Sequence, residues 1–164
     1  MLVGMMGAGK SSVGRVLASR LDRELLDSDA MIEQRTGQTV RAIWKEVGEP
    51  AYRELETEVL REALDRPEPG VIAGAGGIVL SRPNRERLAG SDTYVVWLMA
   101  DVELLVERVR NGMHRPLLDD DPEGTLRQMF VDREELYREV ADAIVSVDRR
   151  SVNDVAQAVI RCTG

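Results

Sequence analysis

Eight residues near the start of the chain, Gly4-Met5-Met6-Gly7-Ala8-Gly9-Lys10-Ser11, have the spacing of a phosphate-binding loop: glycine, four residues, glycine, lysine, serine. The chemistry needs these types. Glycines let the backbone turn tightly and aim its N–H groups inward, and a helix N-terminus adds its partial positive charge to that anion cradle. Lys10 is a compact charge on a flexible stem that can reach terminal phosphates, where arginine is bulkier and planar. Ser11 offers a hydroxyl to Mg²⁺. With 14 Gly and only two Lys, Lys10 and Lys45, random placement would give this pattern with a probability on the order of one in a thousand. The other 20 of the 22 basic residues are Arg. A lysine kept in a glycine-rich segment therefore stands out.

A second group of residues suits a hydroxylated, acidic acceptor. In Asp27-Ser28-Asp29, read as extended chain, residues two apart point to one side. Both carboxylates then face one cleft, Asp27 toward Mg²⁺ and Asp29 toward a substrate hydroxyl; an ordinary solvated turn uses the same residues. Arg53 lies three residues before Glu56 on one helical face, and Arg133 sits in Asp-Arg-Glu-Glu. Surface ion pairs are the plain alternative for both. Arg108, Arg110 and Arg115 border or enter a segment rich in Asn, Gly, Pro and Asp. Arginine beside a phosphate site can neutralise transition-state charge. His114, the single histidine, and Cys162, the single cysteine, receive no role.

The elements that must position these residues alternate between strand and helix. Strands are predicted over 1–3, 25–27, 71–73, 93–99 and 143–147, the fourth being the continuous apolar run TYVVWLM of a sheet covered on both faces. Helical spacing covers 10–21, 39–47, 50–65, 81–89, 101–110 and 125–141. A last helix starts at Ser151, with Asp154 three residues on as a form of capping box. This order predicts an α/β three-layer sandwich around a mainly parallel, five-stranded sheet. Ligands of such sheets gather outside the carboxyl ends of the strands, which here means residues 4–11, 27–29, 74–77 and 111–124.

The 164 residues suit one domain, and a formal net charge of -7 argues against coating nucleic acid or an anionic membrane. One cysteine excludes an internal disulfide framework, and no apolar run is long enough to span a bilayer. The start MLVGMMGAGK lacks the pattern of a secretory signal. A cytoplasmic protein is expected, with small-molecule partners, no nucleic acid and no membrane, acting as a monomer.

Taken together, GMMGAGKSSVGRVLA, LLDSDAMIEQRTGQTV, IWKEVGEPAYRELE, the glycines after 71–73, RPLL and DREELY resemble the shikimate kinase family over nearly the whole chain. The resemblance implies a P-loop fold like that of nucleoside monophosphate kinases, and transfer of phosphate from ATP, with Mg²⁺, to the 3-hydroxyl of shikimate. It implies that Gly7, Ala8, Gly9, Lys10, Ser11 and Ser12 hold the nucleotide, with Arg108 and Arg150 near its base. Ser11 and Asp27 serve the metal. Asp29 is the candidate base or orienting group, Arg53 and Arg133 grip the substrate carboxylate, and Gly76 and Gly77 let the backbone approach the ring. Arg115 is the arginine of a mobile lid at about 111–124, and the substrate region covers about 29–60. With Lys10, Asp29 and Arg115 form the implied catalytic set.

Three departures accompany the resemblance. Ala75 replaces the first of three glycines, Trp44 and Tyr52 replace phenylalanines, and the first strand is several residues short, pointing to a weakened sheet or a start further upstream. If position 75 needs a positive φ, alanine costs roughly 1–2 kcal/mol there. The departures keep open a related kinase acting on another polyol or cyclitol acid such as gluconate. A nucleotide-binding regulatory protein without catalysis is the alternative from another class.

Overall fold

A computed structural model describes residues 1–110 and 121–164 of the chain. Five strands, β1 (Leu2–Val3), β2 (Leu25–Asp27), β3 (Val71–Ala73), β4 (Val96–Met99) and β5 (Ala143–Ser146), form one parallel sheet. Their order is β2-β3-β1-β4-β5. The helices that follow them are α1 (Lys10–Leu21), α2 (Ser28–Thr36), α3 (Val40–Leu64), α4 (Arg82–Ala89), α5 (Val102–Arg110), α6 (Pro122–Val140) and α7 (Val152–Thr163). A 3-10 turn spans Ile78–Leu80. The expected three-layer α/β arrangement is the one observed. Among the described residues no helix is long and apolar enough to cross a membrane.

The strand sequences are nearly uninterrupted Val, Leu, Ile and Ala because a parallel sheet buries both faces. β1 has two residues yet lies at the sheet's centre, with Leu2 in register with both Ala73 and Val96. Its neighbours hold it on both sides: Val96 N–H donates to the Met1 carbonyl (2.8 Å) and Gly74 N–H to the Leu2 carbonyl (3.0 Å). Trp97 of β4 stacks on Tyr137 of α6, with centroids 5.7 Å apart, in the middle of the core.

Several expected boundaries move. β4 starts at Val96 instead of residue 93, because its partners Leu2 and Ala143 both begin there. β5 ends at Ser146, opposite the last residue of β4. The two segments expected over 39–47 and 50–65 run on as α3, kinked at Gly48 (φ 78°) just before Pro50. The extended chain stops at Asp27 instead of continuing through Asp29. Asp27 caps α2, accepting from the N–H groups of Asp29 (3.1 Å) and Ala30 (3.3 Å), so Ser28 and Asp29 form the first turn of a helix the apolar spacing did not announce. α6 begins at Pro122, capped by Asp121, so residues 122–124 are helix where a loop was expected. Residues 111–120, with His114, Arg115 and most of the implied lid, lie outside the described residues. The capping box at Ser151 and Asp154 is present in full.

Candidate active site

Three adjacent strands, β2, β3 and β1, deliver their carboxyl ends to one cleft of about 520 Å³. From β1 comes the phosphate loop, from β2 the carboxylates Asp27 and Asp29, and from β3 the segment Gly74-Ala75-Gly76-Gly77. α3 adds Arg53 and α6 adds Arg133. This is the crevice where parallel α/β sheets hold ligands.

The loop turns into α1 at Gly9, whose φ of 91° is left-handed and open to glycine. Lys10 Nζ donates to the carbonyls of Gly4 (2.8 Å) and Met5 (3.0 Å), which closes the loop on itself. Arg108, from α5, donates to the Gly7 carbonyl (2.9 Å), and Arg150 to the Ser146 carbonyl (3.3 Å). Both arginines reach the cleft, as do Gly7, Ala8, Gly9, Ser11 and Ser12. Val147, Val152 and Val155 give this end an apolar wall that the sequence reading did not include.

Whether Ser11 and Asp27 suit Mg²⁺ depends on what Asp27 has left to give. Its Oδ1 is taken by the start of α2, and a carboxylate retains acceptor capacity at its second oxygen. Among the described residues no three His, Cys, Asp or Glu side chains converge into a metal cage. Mg²⁺ does not need one, since it keeps several waters and takes one or two carboxylates plus substrate phosphates. The residues fit the ion.

Neither arginine is only a surface ion pair: Arg53 is partly buried although it also pairs with exposed Glu49, and Arg133 is buried. Arg53 donates to Glu56 (2.6 Å) through Nη1 and to Glu49 through Nη2 (2.9 Å) and Nε (3.1 Å). Glu56 is only 2% exposed, and burial pushes its carboxyl up while Arg53 holds it back. The Arg53 guanidinium also lies 5.3 Å from the Trp44 ring centre. Arg133, 5% exposed, donates to the Gly76 carbonyl (3.3 Å), which also accepts from the Tyr137 hydroxyl (2.6 Å). Burial pushes the Tyr137 phenol up to about 12, with Arg133 opposing. Both arginines thus face a single cavity from two different helices.

Gly77 explains part of this arrangement. Its φ of -90° and ψ of -3° are open to any residue, so conformation does not demand glycine. A Cβ there would overlap the Arg53 guanidinium, so the end of that side chain would have to shift. At Ala75 the strain that a positive φ would bring does not arise, because among described non-glycine residues only Asp22 and Arg149 have one. Glu49, Tyr137 and the buried state of Glu56 escaped the sequence reading. The run Glu49, Arg53, Glu56 on one helix face was the available signal for the first and last.

A phosphate loop at the centre of a parallel sheet ordered β2-β3-β1-β4-β5 makes this a P-loop protein of the nucleoside-monophosphate-kinase type. The profile of the shikimate kinase family matches residues 6–163. A shikimate kinase of Chromohalobacter salexigens is 44% identical over 163 residues, covering 99% of this chain and 89% of the relative. The structure of a shikimate kinase from Acinetobacter baumannii in complex with shikimate superposes with a TM-score of 0.93 at 42% identity, covering 99% of this chain and 90% of that one. The chain belongs to the shikimate kinase family. A gluconokinase from Sinorhizobium meliloti, at 21% identity and a TM-score of 0.64 over 98% of this chain and 89% of its own, shares the fold alone.

Proposed function

We propose that this protein transfers the terminal phosphoryl group of ATP to the 3-hydroxyl of shikimate. The observation that carries the reading is the convergence of Arg53, Arg133, Asp29 and the Lys10 loop on one cleft. The similarity to an A. baumannii enzyme whose structure holds shikimate supports the choice of acceptor. A carboxylate is best gripped by guanidinium groups in fixed orientation, and here each guanidinium is held by the protein before any acid arrives.

In this reading Lys10 and the loop N–H groups bind the phosphates. Ser11 and Asp27 would hold Mg²⁺, which when bound would offset phosphate charge. Asp29 orients the acceptor hydroxyl and receives its proton as the new P–O bond forms and the bond to the ADP oxygen breaks. The protein's part is positioning and charge stabilisation. Arg108 and Arg150 flank the base at the apolar wall. Use of ATP as co-substrate is consistent with a cytoplasmic reaction.

The test is ADP release from MgATP with shikimate, quinate, gluconate or AMP added singly. Turnover on shikimate alone is expected. Faster turnover on gluconate or another acid would move the chain to the related polyol kinases, and nucleotide binding without acceptor-dependent turnover would make it a regulatory protein.

A further inference from the structure

The hydroxyl of Tyr52 donates to Asp29 Oδ1 at 3.1 Å, from α3 to the first turn of α2. The tyrosine is 4% exposed, and a buried phenol needs a partner for its O–H. We propose that Tyr52 is a positioning residue for the phosphoryl transfer: its hydrogen bond fixes the orientation of the Asp29 carboxylate that meets the acceptor hydroxyl.

Geometry supports this on three counts. Tyr52 is wedged beside Trp44, with ring centres 5.2 Å apart, and is packed with Ile32, Ile43 and Val59, so its hydroxyl has a fixed address. Asp29 lies in the turn that Asp27 caps, so its backbone is fixed as well. The next residue along α3 is Arg53, so one turn of helix sets both the Asp29 carboxylate and the clamp for the acceptor's acid group. Burial first, and then the charges of Asp29 and Glu56, push the Tyr52 phenol well above its ordinary range, so it remains a donor at any working pH.

The proposal rests on the reading of Asp29 as the group that meets the acceptor hydroxyl, and the experiment separates the two. Tyr52→Phe keeps the ring and removes only the oxygen. Tyr52→Phe, Asp29→Asn and the double variant are compared for kcat, shikimate KM and ATP KM, with product quantified over hours so that slow variants are read. Tyr52→Phe is expected to lower kcat about tenfold, the rate equivalent of about 1.4 kcal/mol, with both KM values within about twofold. The double variant is expected to match Asp29→Asn alone, since the phenol acts through that carboxylate. An unchanged kcat in Tyr52→Phe, or an equal further loss in the Asp29→Asn background, overturns the proposal while a crippled Asp29→Asn leaves the reading of Asp29 standing. Wild-type turnover in Asp29→Asn overturns both.

Discussion

Adding one methyl group at residue 77 should disturb the proposed acid clamp without changing a charge. Alanine accepts the φ and ψ of Gly77, so Gly77→Ala tests contact alone. The new Cβ falls on Nη1 and Cζ of Arg53, and its third neighbour is Nη2 at 2.9 Å. The guanidinium must move, and Nη1 is the nitrogen that donates to buried Glu56 at 2.6 Å. A hydrogen bond between charged groups contributes about 1.5–3 kcal/mol. Losing it has two consequences. The kcat/KM for the acceptor falls about 10- to 150-fold, because the arginine no longer meets the carboxylate in its prepared position. The fold loses a similar energy, because Glu56 stays buried with a poorer partner, and for a chain of this size Tm drops by about 3–12 °C. Steady-state kinetics with each substrate varied in turn, together with thermal unfolding, read both effects. Wild-type shikimate kinetics in Gly77→Ala, or a loss shared equally by ATP and shikimate, would refute the steric argument.

Further expectations concern neighbouring parts of the molecule. Arg53→Ala raises shikimate KM far more than ATP KM, which substrate-varied kinetics would show; equal effects contradict the clamp. Asn84, 3% exposed, donates to Thr57 Oγ1 and the Ile78 carbonyl, both at 3.1 Å, tying α4 to α3 and to the turn behind Gly77. Asn84→Ala should lower unfolding free energy by about 1–3 kcal/mol in urea titration, and no change in midpoint would place that bond outside the stability of the fold. The Tyr137 phenol titrates near 12 in the fold and near 10 when unfolded. A raised folded value means its contribution is complete below about pH 10 and is lost as pH rises toward 12. Denaturation midpoints should therefore fall between about pH 10 and 12 less steeply in Tyr137→Phe than in wild type.

Much of the fold was legible because strand composition and helical spacing are local properties. The phosphate loop was legible for the same reason: its eight residues make their own structure. α2 was not, since Ser28–Thr36 buries only Ser28 and Ile32 and has no apolar stripe to read. Its start, Asp-Ser-Asp, serves a turn as well as a cap. Extended chain does not aim Asp27 and Asp29 together, since Asp29 is helical, yet both carboxylates reach the cleft, because a cap and its first turn sit at the end of β2. Placement of Arg53 and Arg133 beside Gly77 and the Gly76 carbonyl, after β3, comes from contacts distant in sequence that no helical spacing reveals. The bond from Tyr52 to Asp29 likewise joins two helices and shows in neither alone.

The central claim is spatial: one cleft aligns a nucleotide's last phosphate with an alcohol held beside Asp29 by an acid grip at the far end. A crystal structure with shikimate and a non-hydrolysable ATP analogue tests it most directly. The account predicts the shikimate carboxylate on Arg53 and Arg133 and its 3-hydroxyl within about 2.6–3.2 Å of Asp29, facing the terminal phosphate. Shikimate bound with its carboxylate away from both arginines, or with that hydroxyl out of reach of Asp29, would contradict it.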